Sequence, residues 1–219
     1  MILVLDRLLE RSELSAIRSS AERLQYNDGK STAGPFTQSV NANSQAVASS
    51  DLEAIEAKIT RRLAANPVFQ SAARPRAMSK LIISRYRIGQ TYGLHVDDAL
   101  MGGVRTDLSF TLFLSEPDEY DGGALIIEET SEERAFRPSA GDLLLYPSTT
   151  LHRVEPVTRG VRYAAVGWVQ SWIRSAEKRE ILFDLDRSVE AAHGIEGQRV
   201  LFETLAKTRS NLVRMWAGD

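Results

Sequence analysis

Thr106-Asp-Leu-Ser-Phe-Thr-Leu-Phe-Leu-Ser115 decides how this chain folds. Leu108, Phe110, Leu112 and Leu114 alternate with partners such as Ser109 and Thr111. That period of two is the pattern of a half-buried β-strand. Moving outward, β-rich runs recur at residues 80–86, 124–128, 142–146, 151–154 and 161–172. Asp121-Gly122-Gly123, Ala140-Gly141-Asp142 and Thr158-Arg159-Gly160 separate them as turns. Short strands at this spacing predict a sandwich or barrel, so the chain reads as mainly β with flanking helices.

The flanks change period. A strand is expected at 2–5, then an amphipathic helix opened by Ser12 and carrying Leu14, Ile17, Ala21 and Leu24. Residues 26–50 are rich in Gly, Ser, Asn and Gln and read as a long polar loop with some extended backbone, a type of segment that tends to be functional. Ser50 and Glu53 form a capping-box pattern before a helix with Leu52, Ile55, Ile59 and Leu63, which Asn66-Pro67 ends. Beyond Trp172, one stripe of Ile181, Leu182, Leu185 and Val189 stops at Gly194. Val200, Leu201, Leu205, Leu212 and Met215 predict a last helix, packed with its neighbour on the barrel. The expected division is a supporting segment at 1–76, a core at 77–173 and a C-terminal helical appendage at 174–219.

The chain has 219 residues, with 43% hydrophobic and 26% charged, the profile of an ordinary globular protein. A net charge of -2 supplies no cationic field for nucleic acid or anionic lipid, so neither is an expected partner. There are no cysteines, which excludes disulfides, thiolate metal sites and a cysteine nucleophile. The start carries no basic leader, and no apolar run is long enough to span a bilayer; a cytoplasmic protein is expected.

The chemistry concentrates in His95-Val-Asp97, His152 and Arg162. On a strand, residues two apart share a face, so His95 and Asp97 would present both side chains to one ion while Asp98 points away. Two histidines and one carboxylate are the ligand set that holds non-haem Fe(II) and leaves positions open. His152 and Arg162 are an even number of residues apart across an apparent hairpin, which predicts that they stand side by side on adjacent strands. Ala164, Val166 and Trp168 share the parity of Arg162 and are apolar, so the arginine faces inward. An inward arginine needs an anion. Its planar fork grips a carboxylate in bidentate fashion. An oxygenase consuming a carboxylate co-substrate such as 2-oxoglutarate is the reading these residues suggest.

The stretch Tyr86-x-x-Gly89-Gln90-x-Tyr92-x-x-His95-x-Asp97, with His152 and Arg162 downstream, resembles the prolyl/lysyl-hydroxylase branch of the Fe(II)/2-oxoglutarate dioxygenases. Over nearly its full length the chain resembles bacterial PKHD-type hydroxylases. The resemblance is carried by Arg105-Thr-Asp-Leu-Ser109, Tyr120-Asp-Gly-Gly123, Leu145-Tyr-Pro-Ser148, Val157-Thr-Arg-Gly-Val-Arg162 and Trp172-Ile-Arg174. It implies a double-stranded β-helix (jelly-roll) core, Fe(II) on His95, Asp97 and His152, and the distal carboxylate of 2-oxoglutarate on Arg162. It also implies L-ascorbate (vitamin C) as the reductant that keeps the iron ferrous. Many relatives carry Ser or Thr two residues after the arginine, where this chain has Ala164. Tyr86 is therefore the candidate for the second 2-oxoglutarate contact, the other reading being a core aromatic. Residues 98–104 look short for this branch, which would open the mouth of the site.

Molecular oxygen and a peptide or small polar substrate are the expected partners, with Asn41, Asn43 and Gln45 placed over the mouth and Arg105 available to an acidic group. Two alternatives belong to other classes: a cupin-like metal enzyme that does not use 2-oxoglutarate, and a non-catalytic iron and 2-oxoglutarate sensor. A homodimer through His193, Trp216 and the last helix is a possible assembly.

Overall fold

A computed structural model describes residues 1–31 and 37–218 of the chain; the part of the expected polar loop at 32–36 lies outside them. The chain opens with β1 (Leu3–Leu5), α1 (Arg11–Arg23), β2 (Tyr26–Asp28), β3 (Ser44–Ala46), α2 (Ser50–Ala65) and α3 (Pro67–Ala73). Next come β4 (Pro75–Met78), β5 (Ile82–Tyr86), β6 (Tyr92–His95), β7 (Leu100–Met101), β8 (Val104–Arg105) and β9 (Leu108–Phe113). β10 (Tyr120–Gly122), β11 (Leu125–Glu128), β12 (Glu133–Phe136), β13 (Leu143–Pro147) and β14 (His152–Val154) follow. β15 (Val157–Gly160), the long β16 (Arg162–Ser171), α4 (Ala176–His193) and α5 (Arg199–Trp216) complete the chain.

The large sheet has the order β1-β13-β9-β16-β5-β3-β2, with β4 also on β16; the small sheet has the order β12-β11-β14-β6. Every pairing in both is antiparallel. The sheets face one another and share a core in which Tyr86, Phe113, Leu144 and Tyr146 of the large sheet meet Leu125, Ile127 and Val154 of the small one. This is the jelly-roll arrangement. Behind the large sheet a second core joins Ile83, Phe110, Leu112 and Ala165 to Ile17 of α1, Ile59 and Leu63 of α2 and Phe69 of α3.

β9 is buried at every position, so the half-buried strand expected there is corrected. Its apolar face packs on the helices, while Ser109 and Thr111 face a cavity between the sheets. The polar side of the alternation marks an internal space, not solvent.

Helix ends deviate by single residues. α1 starts at Arg11, and Glu10 N–H donates to the Glu13 carboxylate at 3.2 Å. α2 is capped by Ser49, whose extended backbone lets its hydroxyl accept from Leu52 N–H at 3.2 Å; Ser50 is already helical. Asn66 ends α2 and also caps α3, accepting from Phe69 N–H at 2.9 Å with Pro67 in the first helical position. At the far end Leu182 and Phe183 are buried while Ile181 is exposed, which shifts the expected stripe. The last helix packs on α4 and has no fully buried residue. His193 lies against Phe202, and Lys178 against the Trp216 ring. Among the described residues, no helix is long and apolar enough to cross a membrane.

The turn expected at Thr158-Arg159-Gly160 is instead β15, paired with β10. Gly160 has φ +71, and a Cβ there would fall 2.0 Å from Glu119 O, so only glycine fits this close crossing. Because β15 intervenes, β14 and β16 do not form a hairpin.

Candidate active site

His95 ends β6 and His152 begins β14, and the two are register partners across that strand pair. Their ring centroids are 4.3 Å apart. Asp97 lies just past the end of β6 and not on the strand, yet its Oδ1 sits 3.9 Å from His95 Nε2 and 3.8 Å from His152 Nε2. One ligand atom from each of the three residues falls within 4.8 Å of the others. Asp98, expected to point away, is exposed but lines the same cavity; it is not part of the cluster.

Each ligand candidate is held from behind. His95 Nδ1 donates to Gly93 O at 2.8 Å and His152 Nδ1 to Thr150 O at 2.9 Å. A carbonyl only accepts, so each ring carries a proton on Nδ1 and turns Nε2 to the cluster. Tyr92 stacks on His95 with centroids 3.8 Å apart, and Tyr146 meets His152 edge-on at 5.1 Å. Ser109 Oγ donates to Asp97 Oδ2 at 2.5 Å. With that proton committed, the 2.7 Å bond between Ser109 and Ser148 runs from Ser148 to Ser109. Asp97 is thus fixed by one oxygen and presents the other. Burial, followed by the neighbouring His152, holds the His95 ring down to about 4, so it stays neutral as a metal ligand must.

Arg162 lies across the cavity from the histidines, on the large sheet, while His152 is on the small one. The side-by-side placement on adjacent strands is therefore corrected, although both side chains still reach one cavity of about 750 Å³, mouth included. Arg162 is 1% exposed. Its guanidinium carbon stands 5.0 Å from the Tyr86 ring centroid and 5.3 Å from that of Phe113. Its Nε and Nη2 have no hydrogen-bond partner among the described residues. Tyr86 is the direct cross-strand partner of Arg162 and is also buried, which pushes its phenol up and keeps it protonated as a donor. His95, Asp97, His152, Arg162 and Tyr86 all line this one cavity.

Several wall residues escaped the sequence reading. Ser109 and Tyr146 are cross-strand partners on β9 and β13. Ser109 stood on the polar side of a strand expected to be half-buried, and hydroxyls on a strand gave no sign of what they would hold. Asn41, Asn43 and Gln45 are buried in the wall, deeper than the mouth position expected for them. The segment after Asp98 folds into the β7–β8 hairpin and places Met101 on the wall. Arg105 is committed to Asp107 through bonds of 2.8 and 2.9 Å, so it is not available to an acidic substrate.

The donor set fits a divalent iron: two imidazole nitrogens and one carboxylate oxygen. The unpartnered guanidinium fits a carboxylate-bearing co-substrate. A profile of the 2OG-Fe(II) oxygenase superfamily matches residues 81–170. A PKHD-type hydroxylase of Synechococcus elongatus is 48% identical over 222 residues, covering 99% of this chain and 100% of that one. One from Maricaulis maris is 42% identical over 219 residues, covering 100% of both. The crystal structure of a Pseudomonas putida prolyl-4-hydroxylase shares the fold, with TM-score 0.56 and 18% identity over 78% of this chain and 92% of that one. The near full-length relatives and the profile match define the class, an enzyme of the 2OG-Fe(II) oxygenase superfamily. Within that class, the chain belongs to the PKHD-type hydroxylases.

Proposed function

We propose that His95, Asp97 and His152 hold Fe(II), that Arg162 and Tyr86 hold the distal carboxylate of 2-oxoglutarate, and that the enzyme hydroxylates a C–H bond of a peptide residue or small polar molecule. The observation that carries this reading is the buried Arg162, unpartnered at Nε and Nη2, in the same cavity as the His-Asp-His cluster. When bound, iron and 2-oxoglutarate together supply the oxidation: the co-substrate and molecular oxygen become succinate, carbon dioxide and the hydroxyl of the product.

The chain's own residues supply placement. Arg162 donates to an acceptor-only group at the closed end of the cavity and fixes its orientation. Tyr86 adds a neutral donor beside it. Phe113 and Leu125 keep that end dry, which strengthens the charge–carboxylate attraction. Ser109 holds Asp97 to a single presented oxygen, so Asp97 would offer a bound ion one ligand atom and not two. L-ascorbate is the reductant proposed to keep the iron ferrous between turnovers. The prolyl-4-hydroxylase likeness supports a peptide residue as the first substrate to try.

The test is anaerobic titration of Fe(II) and 2-oxoglutarate into the metal-free protein, following the weak visible charge-transfer band of a chelated 2-oxo acid. The band is expected with the parent and absent from His95→Ala and His152→Ala. Iron binding without the band would overturn the co-substrate assignment.

A further inference from the structure

We propose that Asn43 is a positioning residue for the co-substrate: its side chain directs the Tyr86 hydroxyl proton toward the distal carboxylate beside Arg162. This rests on the function proposed above.

β3 pairs with β5 through Ser44↔Arg85 and Gln45↔Ser84. Continued by one residue, that register puts Asn43 opposite Tyr86, which is itself opposite Arg162. The three residues form one row across three strands, and all three line the cavity. Asn43 Nδ2 donates to the Tyr86 oxygen at 2.9 Å. That oxygen therefore receives a hydrogen bond from one side. Arg162, whose guanidinium carbon lies 5.0 Å from the Tyr86 ring centroid, has donors and no acceptor. The phenol proton finds no acceptor among these neighbours. A carboxylate, which only accepts, completes both Tyr86 and Arg162. Ala164, the next inward residue on β16, offers no polar atom to share the task.

The orientation of the Asn43 amide is what matters. With Nδ2 toward the phenol, Tyr86 donates into the cavity; with Oδ1 toward it, the amide would take the proton. The backbone fixes Asn43 firmly. Its N–H donates to Asn41 Oδ1 at 3.2 Å, and its carbonyl accepts from Gly29 N–H at 2.9 Å. Asn41 Nδ2 in turn donates to Gly29 O at 3.2 Å. At the side chain, the structure turns Nδ2 to the phenol and leaves Oδ1 without a hydrogen-bond partner.

The experiment is the same anaerobic titration with Fe(II), comparing 2-oxoglutarate with 2-oxopentanoate, which has the same carbon chain without the distal carboxylate. Asn43→Leu should weaken 2-oxoglutarate about fivefold to tenfold, the worth of one hydrogen bond, and leave 2-oxopentanoate unchanged. Asn43→Asp keeps the size of the side chain should the leucine variant not fold. Its ionised carboxylate accepts the phenol proton, so it should weaken 2-oxoglutarate more than leucine does. Tyr86→Phe should match or exceed Asn43→Leu, and the double variant should be no worse than Tyr86→Phe alone, because both changes remove one interaction. Unchanged 2-oxoglutarate affinity, equal loss for both acids, or additive losses would each overturn the role of Asn43. A parent protein that shows no band would instead overturn the functional reading beneath it.

Discussion

The two ends of the cavity are finished to different degrees. At the metal end, His95, His152 and Asp97 are each anchored by a hydrogen bond from behind, and Ser148 anchors the anchor. At the arginine end, a fully buried guanidinium leaves two of its nitrogens without a partner. A buried charge lacking its counter-charge costs several kcal/mol. The first end is preorganised and self-sufficient. In the proposed function the second end is completed by the co-substrate carboxylate, whose binding would relieve that burial.

Removing a ligand at the metal end should have the largest effect. His95→Ala is expected to reduce iron binding and turnover to background, measured by metal content and by succinate formation; retained iron at full occupancy would show that the cluster is not the metal site. At the other end, function and stability should move in opposite directions. Arg162→Met is expected to weaken 2-oxoglutarate about 100-fold or more. It should also stabilise the ligand-free protein by about 1–3 kcal/mol, a rise in melting temperature of roughly 2–4 °C per kcal/mol. A variant that melts below the parent in the absence of ligand would erase the contrast between the two ends.

Smaller changes sharpen it. Ser109→Ala removes the support of Asp97 Oδ2 and should weaken Fe(II) about 10- to 100-fold, read by competition with a chelator. An unchanged iron affinity would make that hydrogen bond dispensable. Gly29→Ala is the mildest. A Cβ there would come within 2.0 Å of Asn43 Oδ1, so the amide must move. The expected result is a few-fold weaker 2-oxoglutarate with iron affinity intact, on the scale of one hydrogen bond. Loss of iron binding would show that the two ends are not independent.

What could be read in the sequence follows the range of the signals. Parity turned Arg162 inward, because that reading needs only the neighbouring residues of one strand; it pointed to Asp97 as well, although Asp97 lies past the strand end and Asp98 also lines the cavity. The family resemblance then supplied the jelly roll and the iron. Asn43 was flagged only as part of a polar stretch. Its place depends on Ser44 pairing with Arg85, a contact between distant segments, and β2 and β3 are too short and too polar to show strand periodicity. The supposed hairpin between His152 and Arg162 failed for a similar reason. Arg159-Gly160 looks like a turn locally, but its partner is the strand at Tyr120, remote in sequence. The ends of α1 and α2 were missed by a single residue, since several adjacent polar residues can serve as a cap.

β16 has one face in the cavity and the other in the helix-packed core: Arg162, Val166 and Trp168 on one side, Tyr163, Ala165 and Val169 on the other. A slip of one residue against β5 and β9 would exchange the two sets. It would drive the arginine's charge into the apolar layer beneath the helices, with no anion able to follow it there. The residue proposed to anchor the co-substrate thereby also guards the assembly of the sheet, since a chain that pairs β16 wrongly cannot close its core.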